Sequence, residues 1–113
     1  MSKSVSDYET VRQWVHGLRE QWGDEPDMEQ RCDVLQRFVD LVGKDPDTMI
    51  AECTREVDSG KRIRIKARRE YTEQIGAFQS SVEGNPRQQS KAANYVRSFF
   101  IHNGIFMQAG LSD

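Results

Sequence analysis

Residues 62–78, RIRIKARREYTEQIGAF, decide the reading of the fold, because they carry two periodicities at once. The opening RIRIK alternates charge with isoleucine, a residue that favours extended backbone, and by itself describes a strand. From Ala67 onward the pattern changes. Ala67, Tyr71, Ile75, Phe78 and Val82 recur every three or four positions, which is one face of a helix. No partner strand is apparent elsewhere in the chain, so the segment from about 62 to 82 is expected to be one long helix. Gly76 within it costs up to about 1 kcal/mol against alanine, which points to close packing there.

Four more amphipathic segments flank it. Ser6 and Glu9 form an S-x-x-E capping box ahead of Tyr8, Val11, Trp14, Val15, Leu18 and Trp22, until GDEP breaks the helix. Asp27 and Gln30 form a second capping pair before Met28, Cys32, Leu35, Phe38, Val39 and Val42, and Gly43 suits the C-terminal residue. Asp45 and Pro46 open a third helix with Met49, Ile50, Cys53 and Val57 on its buried face, stopped by Ser59 and Gly60. EGNP ends the long helix. A last one, roughly 88–102, buries Ala92, Tyr95, Val96, Phe99 and Phe100, and after Asn103 and Gly104 an apolar tail, IFMQAG, trails away. The expected fold is all-α, a compact bundle of about five helices forming one domain over residues 1–113.

Composition excludes several classes. With 30% charged and 36% hydrophobic residues the 113-residue chain is globular rather than disordered. No apolar run reaches the roughly 18 residues of a membrane span, and MSKSVSDYE has no signal-like core. Cys32 and Cys53 make no disulfide framework, and together with His16 and His102 they make no metal spacing, so no metal or cofactor is expected and the compartment is expected to be reducing cytoplasm. Both thiols fall on apolar helix faces and read as structural.

Catalysis finds little support. His16 and Arg19 make an H-x-x-R, but no nucleophile with a matched base accompanies them, and the plain reading is a surface helix face. The pairs Asp24/Glu25 and Asp45/Asp47 lie at helix starts and loops, where capping explains them. Tyr95, Phe99 and Phe100 could stack bases, yet their helical spacing speaks for core packing. No enzyme is expected.

Charge is distributed unevenly. Residues 1–60 hold 7 Lys+Arg and 14 Asp+Glu, a balance of −7; residues 61–113 hold 9 and 4, a balance of +5. Six cations, Lys61, Arg62, Arg64, Lys66, Arg68 and Arg69, fall within nine residues. On one helix Arg62, Lys66 and Arg69 would line up, and so much like charge repels itself unless a polyanion lies against it. Duplex DNA, with one charge per roughly 1.7 Å of axis, is such a polyanion. The last helix adds a face of Arg87, Lys91, Asn94 and Ser98, with Ser90 and Arg97 beside it and Gln88 and Gln89 at its positive end. These types suit phosphates and base edges alike. DNA contacts are therefore expected at Lys61, Arg62, Arg64, Lys66, Arg68, Arg69, Arg87, Gln89, Ser90, Lys91, Asn94 and Arg97. The alternative is a helical protein-interaction module whose acidic first half meets a basic partner.

The segments FVDLVGKDPDTMI (38–50) and SKAANYVRSFFIHNGI (90–105), separated by a long basic helix, resemble the N-terminal core-binding domain of tyrosine recombinases, the phage-integrase SAM-like domain. The similarity runs from Tyr8 to about Met107. It implies a helical clamp on double-stranded DNA, with further protomers on the same site, while a separate C-terminal domain of the same protein does the chemistry. The chain ends about where the linker to that domain would begin, and His16, Arg19, Tyr71 and Tyr95 would then lie in the wrong domain for catalysis. One departure stands out. The family's second helix opens on a Ser/Thr-rich segment and can approach DNA, whereas DEPDMEQ here would repel phosphate, so DNA contacts carry over only to the long basic helix and the last one.

Overall fold

The computed structural model describes residues 5–23, 28–57, 60–105 and 107. A short 3-10 turn (Val5–Asp7) precedes α1 (Glu9–Trp22), α2 (Met28–Val42) and α3 (Pro46–Cys53); strands β1 (Thr54–Val57) and β2 (Gly60–Ile63) follow, then α4 (Ile65–Ser81) and α5 (Pro86–His102). The protein is an all-α bundle of five helices with one small ribbon set between α3 and α4.

The bundle is organised around α5, which packs on α1, α2 and α4. Ala93, Val96, Phe99 and Phe100 are fully buried, as their spacing in the sequence requires. A chain of ring contacts ties three helices together. Trp14 of α1 meets Phe99 edge-on at 5.7 Å, Phe99 meets Phe100 at 5.4 Å, and Phe100 meets Tyr71 of α4 at 5.5 Å. Phe38 of α2 joins Phe78 of α4 at 5.5 Å. Such pairs contribute about 0.5–1.5 kcal/mol each beyond the area they bury. The indole N–H of Trp14, buried among them, donates to Ser98 Oγ at 3.0 Å.

The far end of α5 is held by α1. The Gln13 side chain donates to the His102 carbonyl at 3.1 Å, and the Asn103 amide donates to the carbonyls of Thr10 (3.1 Å) and Phe99 (2.9 Å). Beyond it, Ile105 and Met107 are buried, so this part of the expected trailing tail belongs to the core.

Helix ends follow local chemistry with one exception. Asp45 caps α3 by accepting from Thr48 N at 2.7 Å, with Pro46 in the first turn, and Gly43 closes α2 at φ +79°. At α5, Asn85 and Gln88 form a reciprocal capping box ahead of which the chain turns. In α1 the helix begins at Glu9 itself, with Tyr8 as its cap residue, so Ser6 and Glu9 do not occupy the cap and third helical positions that the expected box requires. Asp47 of α3 serves instead, accepting from both the backbone N–H and the hydroxyl of Thr10. Of the expected Asp27–Gln30 pair, Asp27 lies outside the described residues.

The principal correction concerns RIRIK. Helix α3 stops at Cys53, four residues short of Val57, and the chain continues as β1. That strand is the partner which sequence reasoning did not find. It pairs antiparallel with β2 in the register Thr54↔Ile63, Arg55↔Arg62, Glu56↔Lys61, Val57↔Gly60, and Arg64 N adds a bond to the Cys53 carbonyl at 2.7 Å. Electrostatics favours this outcome. A helix begun at 62 would stack five cations in its opening turns, toward the positive end of its dipole, and the ribbon removes Arg62 from it. Downstream, Tyr71, Ile75 and Phe78 are buried as expected.

The two interior helical glycines have opposite surroundings. Gly76 is exposed and a Cβ there would meet nothing within 4 Å, so no close packing explains it. A Cβ on Gly17 of α1 would stand 2.7 Å from Nδ1 of His102. Gly76→Ala should therefore stabilise the protein by about 0.5–1 kcal/mol in thermal or urea unfolding. Gly17→Ala should lose that gain or reverse it; equal gains at both sites would contradict the approach of His102 to α1.

Candidate nucleic-acid interface

The ribbon and the first turns of α4 gather the basic run into one junction. Arg55 and Arg62 stand directly opposite each other across the strands and are both exposed. Like charges so placed repel. Arg64 is the exposed cap residue of α4, and Lys66 and Arg69 are exposed in its opening turns, while Arg68 is half-buried. Of Lys61 only the backbone is described, opposite Glu56. Arg62 is on a strand, so the expected helical stripe Arg62–Lys66–Arg69 reduces to its two helical members. Arg55, missed in the sequence, joins them; the alternation of TREV against GKRI about DSG was the signal that could have placed it.

Three features leave this junction electrostatically unsatisfied. The first turn of α4 holds no acid, cations occupy the helix end where the dipole favours anions, and none of Arg55, Arg62, Arg64, Lys66, Arg68 or Arg69 forms an ion pair among the described residues. Acidic residues do stand nearby, with Glu56 opposite Lys61 on the ribbon and exposed Glu70 and Glu73 one turn beyond Lys66 and Arg69 in α4, whereas Glu52 is otherwise engaged. Glu52 of α3 takes both its oxygens to Lys44 Nζ at 3.0 Å and accepts from the buried Tyr71 hydroxyl. The Tyr71 hydrogen bond, then Lys44, hold the Glu52 carboxyl below its ordinary range, and burial followed by that same bond pushes the Tyr71 phenol up.

The second set of expected contacts, on α5, separates into exposed and committed residues. Arg87, Ser90, Lys91 and Asn94 are exposed. Lys91 Nζ lies 5.9 Å from the centre of the Tyr95 ring. Gln89 is tied to the α4–α5 connection, donating to the Val82 carbonyl at 2.9 Å, and Gln88 is spent in the capping box. Ser98 receives the Trp14 indole, and Arg97 is only 8% exposed. Burial on the α4 side of α5 removes Arg97 from the open surface: Nη1 donates to Asn94 Oδ1 at 2.8 Å and Nη2 to Gln79 Oε1 at 3.4 Å.

The two sets do not merge into one patch. A four-residue connection makes α4 and α5 antiparallel, and Gln79 faces Ser90 while Tyr71 faces Phe100. The basic start of α4 therefore lies beside the end of α5, and Arg87 and Lys91 lie beside the end of α4. At about 1.5 Å per residue the clusters are roughly 20 Å apart along the pair. Along the strip between the two clusters lie the exposed Thr72, Gly76, Ser90 and Asn94, together with the exposed carboxylates of Glu70 and Glu73.

The residues weighed for catalysis are occupied by structure. His16 pairs with Glu20 at 2.9 Å on the exposed side of α1. Cys53 is fully buried, and desolvation pushes its thiol up to about 11; burial raises the half-buried Cys32 as well. Asp24 and Glu25 lie outside the described residues. No group of three His, Cys, Asp or Glu among the described residues is placed to hold a metal.

The Tyr71–Glu52–Lys44 contact gives a pH prediction. The folded pKa of Glu52 lies below its ordinary 4.5, so its stabilisation is complete above that value and lost as pH falls through the lower, folded one. Glu52→Gln should cost about 1 kcal/mol near pH 7, and the difference from the parent should shrink in urea unfolding below about pH 4. A pH-independent difference would break the assignment. Compared with protein-family models, curated proteins and solved structures, the chain has no match.

Proposed function

We propose that this chain is a non-catalytic module that binds double-stranded DNA, belonging to a site-specific tyrosine recombinase and holding the recombination site while a C-terminal domain of the same protein cuts and rejoins strands. The observation that carries the DNA reading is the unsatisfied ribbon–helix junction. Arg55 opposite Arg62, followed by Arg64, Lys66 and Arg69 on an acid-free helix start, is an arrangement that destabilises the free protein and that phosphates would relieve. Arg87 and Lys91, about 20 Å along the same helix pair, supply a second anchor, so that the strip spans successive phosphates rather than gripping one. The recombinase class rests on the resemblance of residues 38–50 and 90–105, with which a five-helix bundle agrees. Two free cysteines fit a reducing cytoplasm, and no described helix is long and apolar enough to cross a membrane.

The test is fluorescence anisotropy on a labelled duplex across a sodium chloride series. Log affinity should fall linearly with log salt, at a slope near −0.9 per phosphate neutralised. Replacing Arg62, Lys66 and Arg69 together by glutamine should lower that slope by about 2–3 and weaken binding more than tenfold at low salt, with the helical circular dichroism unchanged. Undiminished binding by the triple variant would remove the junction as the site. A parent chain that binds no duplex at low salt would sink the DNA reading and leave the protein-interaction module.

A further inference from the structure

Arg97 is the one buried charged side chain among the described residues, and no carboxylate pairs with it. Its hydrogen-bond acceptors are the neutral amide oxygens of Asn94 and Gln79, the second at a long 3.4 Å. Burying an arginine without a counter-charge is costly, and a chain with 18 acids has not placed one there. The side chain borders a cavity of about 380 Å³ between the end of α1 and the outer side of α5, lined also by Gln21, Asn94, Ser98, His102 and Met107. Among the described residues no carboxylate lines it. Its polar groups can donate: the Gln21 and Asn94 amides, and the Ser98 hydroxyl, whose oxygen already accepts from Trp14.

We infer that this cavity is an oxyanion site, in which Arg97 holds a phosphate group with the Gln21, Asn94 and Ser98 donors around it. The inference stands on the cavity and not on the DNA reading, since a free phosphate, a phosphate monoester or a backbone phosphate presents the same oxygens. A tetrahedral oxyanion fits the volume and supplies the counter-charge that the guanidinium lacks. Met107 and Ile101 form its apolar side.

The experiment is a ¹⁵N NMR titration of the full chain with sodium phosphate, set against sodium chloride at matched ionic strength. Saturable shifts are expected at the Arg97 Nε–H and at the Asn94 and Gln21 side-chain amides, in phosphate alone. Asn94→Asp alters an exposed position and puts a carboxylate where Arg97 already donates at 2.8 Å, so it should weaken phosphate about tenfold or more. Arg97→Gln should abolish the shifts in whatever fraction folds. Shifts no larger in phosphate than in chloride, or undiminished in Asn94→Asp, overturn the inference. A 5′-hydroxyl duplex then identifies the source while keeping the site: displacement of bound duplex by phosphate assigns it to a backbone phosphate, and indifference assigns it to free phosphate or a monoester. Loss of duplex binding in the Arg62/Lys66/Arg69 variant with phosphate shifts intact would separate the two sites.

Discussion

The ring contacts that run from Trp14 through Phe99 and Phe100 to Tyr71 are the constraint on which the other features depend. They fix α5 against α1 on one side and α4 on the other, and so bury well over half of the circumference of α5. Polar residues at the margins of that buried arc have no open surface to reach. Ser98 turns to the Trp14 indole, and Arg97 lies down between α5 and Gln79. The same ring chain ends at Tyr71, whose hydroxyl takes up the Glu52 carboxylate. Packing thereby decides which charges are compensated and which are left exposed.

That division explains how a chain of net charge −2 can present a basic surface. Acids in the first half are spent locally: Asp45 and Asp47 on helix starts, Glu20 on His16, Asp33 beside Arg37, and Glu52 on Lys44 and Tyr71. Glu56 is the acid of the first half that sits on the ribbon, opposite Lys61. Over a Debye length of about 8 Å in physiological salt, acids elsewhere on the surface do little to cancel Arg62 or Lys66. Global charge therefore says little about the field a partner would meet at this junction.

Much of the architecture was legible because each helix states its core face several times over. Tyr71, Ile75 and Phe78, or Val96, Phe99 and Phe100, are spaced so that only one face can be buried. The ribbon was not legible from RIRIK alone. A strand is specified by its partner, and TREV is short, half charged and continuous with a helical apolar series through Val57. The start of α1 was hidden for a related reason: its cap comes from Asp47, 37 residues away, whereas S-x-x-E is a local signal. At the site, residue type and position were readable for Lys66, Arg69, Arg87 and Lys91. The burial of Arg97 was not, because helical phase alone places it at the edge of the polar face, and only the position of α4 closes over it.

Antiparallel pairing of α4 and α5 has a consequence for recognition. Had the basic starts of the two helices lain together, they would form one dense patch suited to any polyanion. Separated by roughly 20 Å, they favour an extended partner whose charges repeat along its length. A rigid duplex meets that condition, while a compact acidic protein would satisfy one cluster and leave the other bare. The α5 side of this interval is also where sequence could be read. Asn94 and Ser90 offer short side chains able to donate and accept, and base edges are discriminated by groups of that kind, held in place by phosphate contacts on either side. Cations at the ends would then supply affinity and salt dependence, and the amide and hydroxyl groups between them would supply selectivity.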